Sequence, residues 1–96
     1  MHTATAVVAT ETPARYAKQL LAHLGRKNSV EPVPDDPDGG RLLFAYGTGT
    51  VRVEDGSLLL EAAAEDAESL ARVQDVLARH LVRFGARREL TVDWAE

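Results

Sequence analysis

Residues 51–60 read Val-Arg-Val-Glu-Asp-Gly-Ser-Leu-Leu-Leu, and this stretch decides the fold. The Asp55-Gly56 pair is a strong signal for a two-residue type I′ turn, with an alternating strand before it and an apolar strand after it. The turn predicts two cross-strand pairs, Val53 with Leu58 and Val51 with Leu60. Because alternate residues of a strand share a face, we expect these four side chains to be buried on one side of the hairpin.

A second hairpin is predicted just before the first. Residues 42–46 and 49–54 flank Gly47-Thr48, and glycine at the first central position suits a type II′ turn. This turn would place Val51 opposite Phe44 and Val53 opposite Leu42. Further upstream, residues 35–40 form a turn-forming loop. Residues 30–34 are extended and belong on a sheet edge, because their two prolines cannot donate ladder hydrogen bonds.

Two amphipathic helices flank the hairpins. The first starts at Thr12-Pro13, a hydroxyl cap followed by proline, and ends at Gly25. The second starts after the cap Asp66 and runs to about residue 83 or 84. Their apolar stripes are Tyr16, Ala17, Leu20, Leu21 and Leu24, and Leu70, Val73, Val76, Leu77, Leu81 and Phe84.

Strands at both ends complete the pattern. Residues 3–10 are rich in β-branched residues, and residues 90–94 alternate apolar and polar. The sequence therefore predicts one α+β domain over residues 1–96, a two-layer sandwich with the order β-α-β-β-β-β-α-β. We expect a mainly antiparallel sheet with both helices on one face. The other face would carry Arg52, Glu54, Leu59 and Glu61.

The composition narrows the classes of function. The 96-residue chain has 15 acidic and 11 basic residues, and its formal charge of −4 repels nucleic acid and anionic lipid. It has no cysteine, which excludes disulfides, thiolate metal sites and a cysteine nucleophile. No apolar run is long enough for a membrane span, and residues 1–4 lack the features of a signal peptide. We therefore expect a cytoplasmic protein with neither nucleic acid nor membrane as a partner.

Three stretches of the chain carry a family resemblance. They are Arg15-Tyr16, Gln19-Leu20, His23 and Lys27 near the first helix, His-Leu-Val-Arg-Phe at 80–84, and Arg-Glu-Leu-Thr-Val-Asp-Trp at 88–94. Together they resemble the small bacterial proteins of the domain of unknown function 2218 family, over almost the whole chain. The resemblance implies a single-domain bacterial protein with no assigned activity, some of whose relatives are associated with siderophore-interacting proteins. Relatives often carry a histidine and a cysteine where this chain has Arg26 and Thr50.

Two histidines inside the predicted helices raise the question of a metal site. His23 lies at the border of its apolar stripe, and His80 lies within its own. Two imidazoles and a carboxylate can bind zinc or iron, but neither histidine has a second ligand at i, i+4 spacing. We therefore expect half-buried histidines whose ring nitrogens bond backbone or a carboxylate such as Glu89 or Asp93. The sequence predicts no metal and no cofactor.

A basic cluster surrounds the second histidine. It consists of Arg79, Arg83, Arg87 and Arg88. Such a cluster can hold a phosphate, a carboxylate ligand or an acidic partner, and the negative end of a helix dipole also favours it. No nucleophile and no acid–base pair is readable elsewhere, so the sequence favours a protein without enzyme activity.

The residues matched in the family resemblance are the candidate ligand or partner contacts. They are Tyr16, His23, Lys27, His80, Arg83 and Trp94. Because both helices cover one sheet face, we expect all except Lys27 to meet near the seam between the helices, with Trp94 turned toward the core. The two histidine rings are expected to be separated, and a separation beyond roughly 12 Å would exclude a shared metal ion.

Three functions stay open. The first is a binding or accessory module for a partner protein or small ligand, linked by the resemblance to iron or siderophore handling. The second is a small metal-binding protein or enzyme that uses His23 and His80. The third is a homo-oligomerisation domain without a ligand, and Leu59 on the open sheet face or an unblocked edge strand favours a homodimer.

Overall fold

The computed structural model of the protein describes residues 1–85 and 90–95. Within these residues, five strands and two helices follow one another in the order β-α-β-β-β-β-α. The elements are β1 His2–Ala9, α1 Pro13–Leu24, β2 Ser29–Val33, β3 Asp36–Phe44, β4 Gly47–Glu54, β5 Ser57–Ala64 and α2 Ala67–Phe84. The α+β fold predicted from the sequence is confirmed.

The strands form one antiparallel sheet in the order β1-β5-β4-β3-β2. As the prolines predict, β2 lies at an edge of this sheet. It pairs only with β3, and its register shifts between Glu31 and Val33. Pro32 falls at this irregularity, where its missing N–H breaks no regular ladder hydrogen bond.

The hairpin of β4 and β5 has the predicted register, but its turn is not the predicted type I′, because Gly56 has a positive φ and Asp55 does not. Val53 pairs with Leu58 and Val51 pairs with Leu60. Val51, Leu58 and Leu60 are completely buried, each with 0% of its surface exposed. Val53, near the end of β4, is only half-buried, so the expectation that all four would be buried is wrong at this position.

The turn between β3 and β4 lies two residues earlier than predicted. Ala45 and Tyr46 form it, so that Phe44 pairs with Gly47, Leu42 with Gly49 and Gly40 with Val51. Gly47 is needed for close packing instead of for the turn, because a Cβ atom there would lie 2.5 Å from the carbonyl oxygen of Ala63. A shift of the turn by two residues keeps every side chain on its predicted face.

The predicted loop at residues 35–40 is mostly strand. The turn is confined to Pro34 and Asp35, whose φ of 64° is left-handed, and β3 begins at Asp36. The Asp36 carboxylate accepts a hydrogen bond from the Val53 N–H at 2.8 Å. This bond connects the start of β3 to β4 at a position before their backbone pairing, which begins at Gly40 and Val51.

Both helices cover the same face of the sheet. Leu21 of α1 lies against Gly40, and Leu77 of α2 lies against Gly49. Gly40 pairs with Val51, which is two residues from Gly49, so the two glycines face the same side. Their missing side chains let the helices approach the sheet closely.

The helix boundaries agree with the sequence, with one difference at a cap. Thr12 precedes α1 but its side chain makes no capping hydrogen bond, so only Pro13 acts there as predicted. Asp66 caps α2 by accepting from the Ser69 N–H at 2.7 Å. Neither helix is long and apolar enough to cross a membrane among the residues that the structure describes.

The strand predicted over residues 90–94 is not a regular strand in the structure. Ala95 exchanges two backbone hydrogen bonds of 2.8 Å with Thr5 of β1, and this is an isolated bridge. Leu90, Val92 and Trp94 still pack against the core, as their alternation predicts. An alternating sequence predicts which side chains face the core, whereas backbone pairing needs a neighbouring strand. The side chains can therefore pack as predicted although the backbone is hardly paired.

Candidate functional site

The seam between α1 and α2 brings two histidines into contact. His23 lies in the last turn of α1 and is exposed, and His80 lies in α2 and is half-buried. Their ring centroids are 5.1 Å apart, and the ring planes are inclined by 44°. The expectation of separated rings is therefore wrong, and so is the expectation that His23 would be half-buried.

The buried leucines explain why the two rings meet. His23 lies between Leu20 and Leu24, and both leucines are buried in the core. His80 lies between Leu77 and Leu81, which are completely buried. Each histidine is adjacent to the apolar stripe of its helix, at the edge where the stripe meets solvent. Packing of the two stripes on one sheet face sets the helices side by side and brings these edges together.

Phe84 completes the cluster. Its ring meets that of His23 edge-on, with centroids 5.6 Å apart and an interplanar angle of 81°. Sequence reasoning placed Phe84 in the core stripe and missed this contact. The i, i+4 spacing of His80 and Phe84 was the available signal, because residues at that spacing lie on the same side of a helix.

The tautomer of neutral His80 is determined by a hydrogen bond within its helix. Its Nδ1 lies 2.7 Å from the carbonyl oxygen of Val76. A carbonyl can only accept, so Nδ1 carries the hydrogen and donates. In the neutral ring this leaves Nε2 with a free lone pair. A histidine that binds a metal usually donates its second ring N–H to a carbonyl or carboxylate, and His80 has this arrangement.

The distance between the rings matches a shared tetrahedral metal. With metal–nitrogen bonds of about 2.1 Å along the ring axes, two imidazoles at a tetrahedral angle have centroids about 5 Å apart. The centroids of His23 and His80 lie 5.1 Å apart. The spacing fits two ligands of one metal ion, and it also lies within the range of ordinary contacts between aromatic rings.

The protein supplies no third ligand from the part of the chain that the structure describes. Within residues 1–85 and 90–95, no group of three or more His, Cys, Asp or Glu side chains could hold a metal ion. Asp93, one of the carboxylates expected near a histidine ring, is exposed. Glu89, the other, lies outside the described residues.

The other candidate residues are more dispersed. Tyr16 is buried, with 7% of its surface exposed, and lines a cavity of 270 Å³ together with Thr12 and Leu90. It precedes His23 by two helical turns, which places it about 10 Å away along α1. Trp94 packs against the core, as predicted.

The candidate cations Lys27 and Arg83 are both exposed. Arg79, the neighbour of His80 in sequence, lies 3.7 Å from Asp75 in an exposed ion pair. Arg87 and Arg88 of the predicted basic cluster lie outside the described residues.

The open face of the sheet is separate from the helix seam. Arg52 donates to Glu61 at 2.6 Å in an ion pair across β4 and β5. Leu59, opposite Arg52 and Val7, is half-buried, whereas 64% of Val7 is exposed. Thr50, which stands where relatives often have cysteine, pairs with Glu61 and therefore belongs to this face, away from the histidines.

Comparison with known proteins agrees with this fold. The sequence model of the domain of unknown function 2218 family, described as an uncharacterized protein conserved in bacteria, matches residues 5–95. The chain belongs to this family. The NMR structure of PA4090 from Pseudomonas aeruginosa is similar to it, with 32% sequence identity and a TM-score of 0.79. The match covers 99% of this chain and 96% of that one. No curated protein matches this member of the family.

Proposed function

We propose that the protein is a binding module for a divalent transition metal, with His23 and His80 as its two protein ligands. The 5.1 Å spacing of the two ring centroids is the observation that carries this proposal. The orientation of His80 supports it, because the hydrogen bond to Val76 leaves Nε2 as the free nitrogen. This function was the second of the alternatives raised by the sequence.

Imidazole nitrogen favours zinc, copper, nickel and ferrous iron over magnesium, calcium and manganese. Two protein ligands leave at least two coordination positions open, and an open position is typical of sites that take up an exchangeable ligand. The role is therefore binding, with the remaining positions filled by water or by another molecule. We derive no catalytic step, because residues 1–85 and 90–95 place no third His, Asp or Glu beside the two histidines.

The family resemblance adds a proposal about context. An accessory role in iron or siderophore handling fits a site that accepts ferrous iron, so ferrous iron belongs among the metals tested. A cytoplasmic location and a homodimer also remain proposals. Sedimentation at several protein concentrations tests the homodimer independently of metal.

The test is calorimetric titration of the protein at neutral pH with zinc, cobalt and nickel ions and, without oxygen, with ferrous ions. His23→Ala and His80→Ala should each weaken binding by roughly tenfold or more, at least as much as the loss of an outer-shell partner. His2→Ala is the matched control, because His2 is an exposed histidine of β1 near Asp66 at the start of α2, whereas His80 lies about four helical turns further along that helix. It should leave the affinity unchanged.

Two results would overturn the metal function. One is an affinity that is unchanged in the double variant His23→Ala, His80→Ala. The other is a loss of affinity in His2→Ala equal to the loss in the His23 and His80 variants, which would show that the metal binds exposed histidines nonspecifically. Cobalt gives an independent readout, since its paramagnetism should broaden NMR signals around residues 23 and 80 first.

A further inference from the structure

Resting on the proposed metal site, we infer that the metal enters as a negatively charged chelate. The ligand class is a small molecule bearing several carboxylates that holds a divalent metal and leaves two adjacent coordination positions open. His23 and His80 fill these two positions. The carboxylates of the chelate then face the cationic residues that border the histidines.

The number of ligands is the first reason. A tetrahedral metal needs four donors and an octahedral one needs six, whereas the described residues supply two imidazoles here and no third His, Cys, Asp or Glu. The missing donors therefore have to come from outside the described chain. His23 is exposed, so a molecule of solution can reach the metal positions beside it.

The local charge is the second reason. Residues 20–28, the end of α1 and the turn after it, contain two basic residues and no acidic residue. Residues 76–84 of α2 contain two arginines and no acidic residue, and of these arginines Arg79 is paired with Asp75. This surface is positive on a chain whose net charge is −4. A bare divalent cation is repelled by such a border, whereas an anionic chelate is attracted to it.

Two exposed cations follow the histidines within about one helical turn of chain, Arg83 after His80 and Lys27 after His23. Arg83 follows His80 by three residues in α2, so its side chain lies on the same side of the helix and about 5 to 6 Å away at Cβ. It is exposed, and its guanidinium can bind a carboxylate through two parallel hydrogen bonds. Lys27 lies in the turn after α1, where its N–H donates to the Leu24 carbonyl at 3.4 Å.

A second copy of the chain is the competing source of donors. Two protomers would supply four imidazoles to one zinc ion, but they would also bring Arg83 and Lys27 of both copies together around the metal. Like charges placed close together oppose such a contact.

A saturated ferric chelate is disfavoured for another reason. It has no free position for imidazole, so the histidines would contribute nothing to its binding.

The experiment compares two nickel complexes that each leave two adjacent positions open. Nickel nitrilotriacetate carries one negative charge, and nickel tris(2-aminoethyl)amine carries two positive charges. Two imidazoles at right angles on nickel have centroids about 4.5 Å apart, which small side-chain rotations can reach. We expect the negative complex to bind about tenfold more tightly than the positive one at low salt, with the difference shrinking as salt screens the charges.

Variants that remove one positive charge test which residues cause the preference for the negative complex. Arg83→Gln and Lys27→Gln should each reduce affinity for the negative complex by about threefold and leave the positive complex unaffected or slightly better bound. Lys18→Gln is the matched control, because Lys18 is an exposed cation of α1 that lines a separate groove with Arg15 and Leu21. It should change neither affinity.

The outcomes separate this inference from the metal site itself. The proposed metal site is wrong if neither complex binds the protein. It is also wrong if the double variant His23→Ala, His80→Ala binds both complexes as tightly as the wild type does. If both bind through the histidines with equal affinity, the site stands and the anionic chelate is wrong. The inference of an anionic chelate would also be wrong if zinc alone converted the protein into dimers in sedimentation, because the missing donors would then come from a second copy.

Discussion

The space between the helices and the sheet differs from the seam where the helices meet solvent. In the first, side chains such as Leu77, Leu81 and Val51 are completely buried and apolar. In the second, two imidazoles and the Phe84 ring are in contact, and one imidazole is exposed. This difference indicates that packing of the core determines where the histidines lie, whereas the core does not need the histidine side chains for its own packing. Stability and metal binding should therefore respond to different substitutions.

The largest expected effect tests the core side of this comparison. Leu77→Ala removes a completely buried side chain that lies against Gly49, and it should lower the free energy of unfolding by about 3 kcal/mol. Val82→Ala, on a residue of the same helix that is 42% exposed, is the control and should cost less than about 0.5 kcal/mol. Urea denaturation measures both. Equal losses would mean that the helix is not packed as described.

An intermediate effect tests the seam side, in metal-free protein. His80→Ala removes the hydrogen bond to the Val76 carbonyl and should cost about 1 kcal/mol. His23→Ala removes an exposed ring and should cost less. The readout is the urea midpoint in the presence of a chelator. A loss in the double variant as large as that of Leu77→Ala would break the comparison and make the pair structural.

The smallest effect lies at the start of α2, away from both regions. The Ser69 N–H bonded to Asp66 holds the pKa of that carboxyl below its ordinary value. Because folding lowers this pKa, Asp66 stabilises the fold above the ordinary aspartate pKa, and the contribution is lost as pH falls through the lowered pKa. Asp66→Ala should therefore lower the melting temperature at neutral pH, and the difference should become smaller in acid, where the protonated carboxyl still accepts from the Ser69 N–H but carries no charge.

Asp66→Asn is the matched control for that prediction. Its amide oxygen can still accept from the Ser69 N–H, but it does not titrate. It should keep most of the stability at neutral pH and remove this part of the pH dependence. Melting curves from neutral pH into the acid range measure it. A wild-type pH profile in Asp66→Asn would assign the dependence to other groups.

The candidate site was only half accessible to sequence reasoning. The family resemblance pointed to His23 and His80, and the helical pattern placed each at or near the edge of an apolar stripe. The distance between them was predicted wrongly, and the contact with Phe84 was not predicted. Periodicity defines the buried side of each helix, but the relative offset of two helices is set by packing against a shared sheet.

The two hairpins show the same division within the sheet. Asp55-Gly56 set its register correctly, because a two-residue loop leaves only one pairing for the flanking strands. The turn type was predicted wrongly, since of these two residues only Gly56 has a positive φ, of 76°, and type I′ needs positive φ at both. Gly47 misled the prediction, because its role is to admit the Ala63 carbonyl from another strand. The sequence by itself determined the two helices with their ends, the edge strand and the register of one hairpin, which depend on neighbouring residues. Only the tertiary structure decided the use of Gly47 and the meeting of the two histidines, because both depend on contacts between segments far apart in the chain.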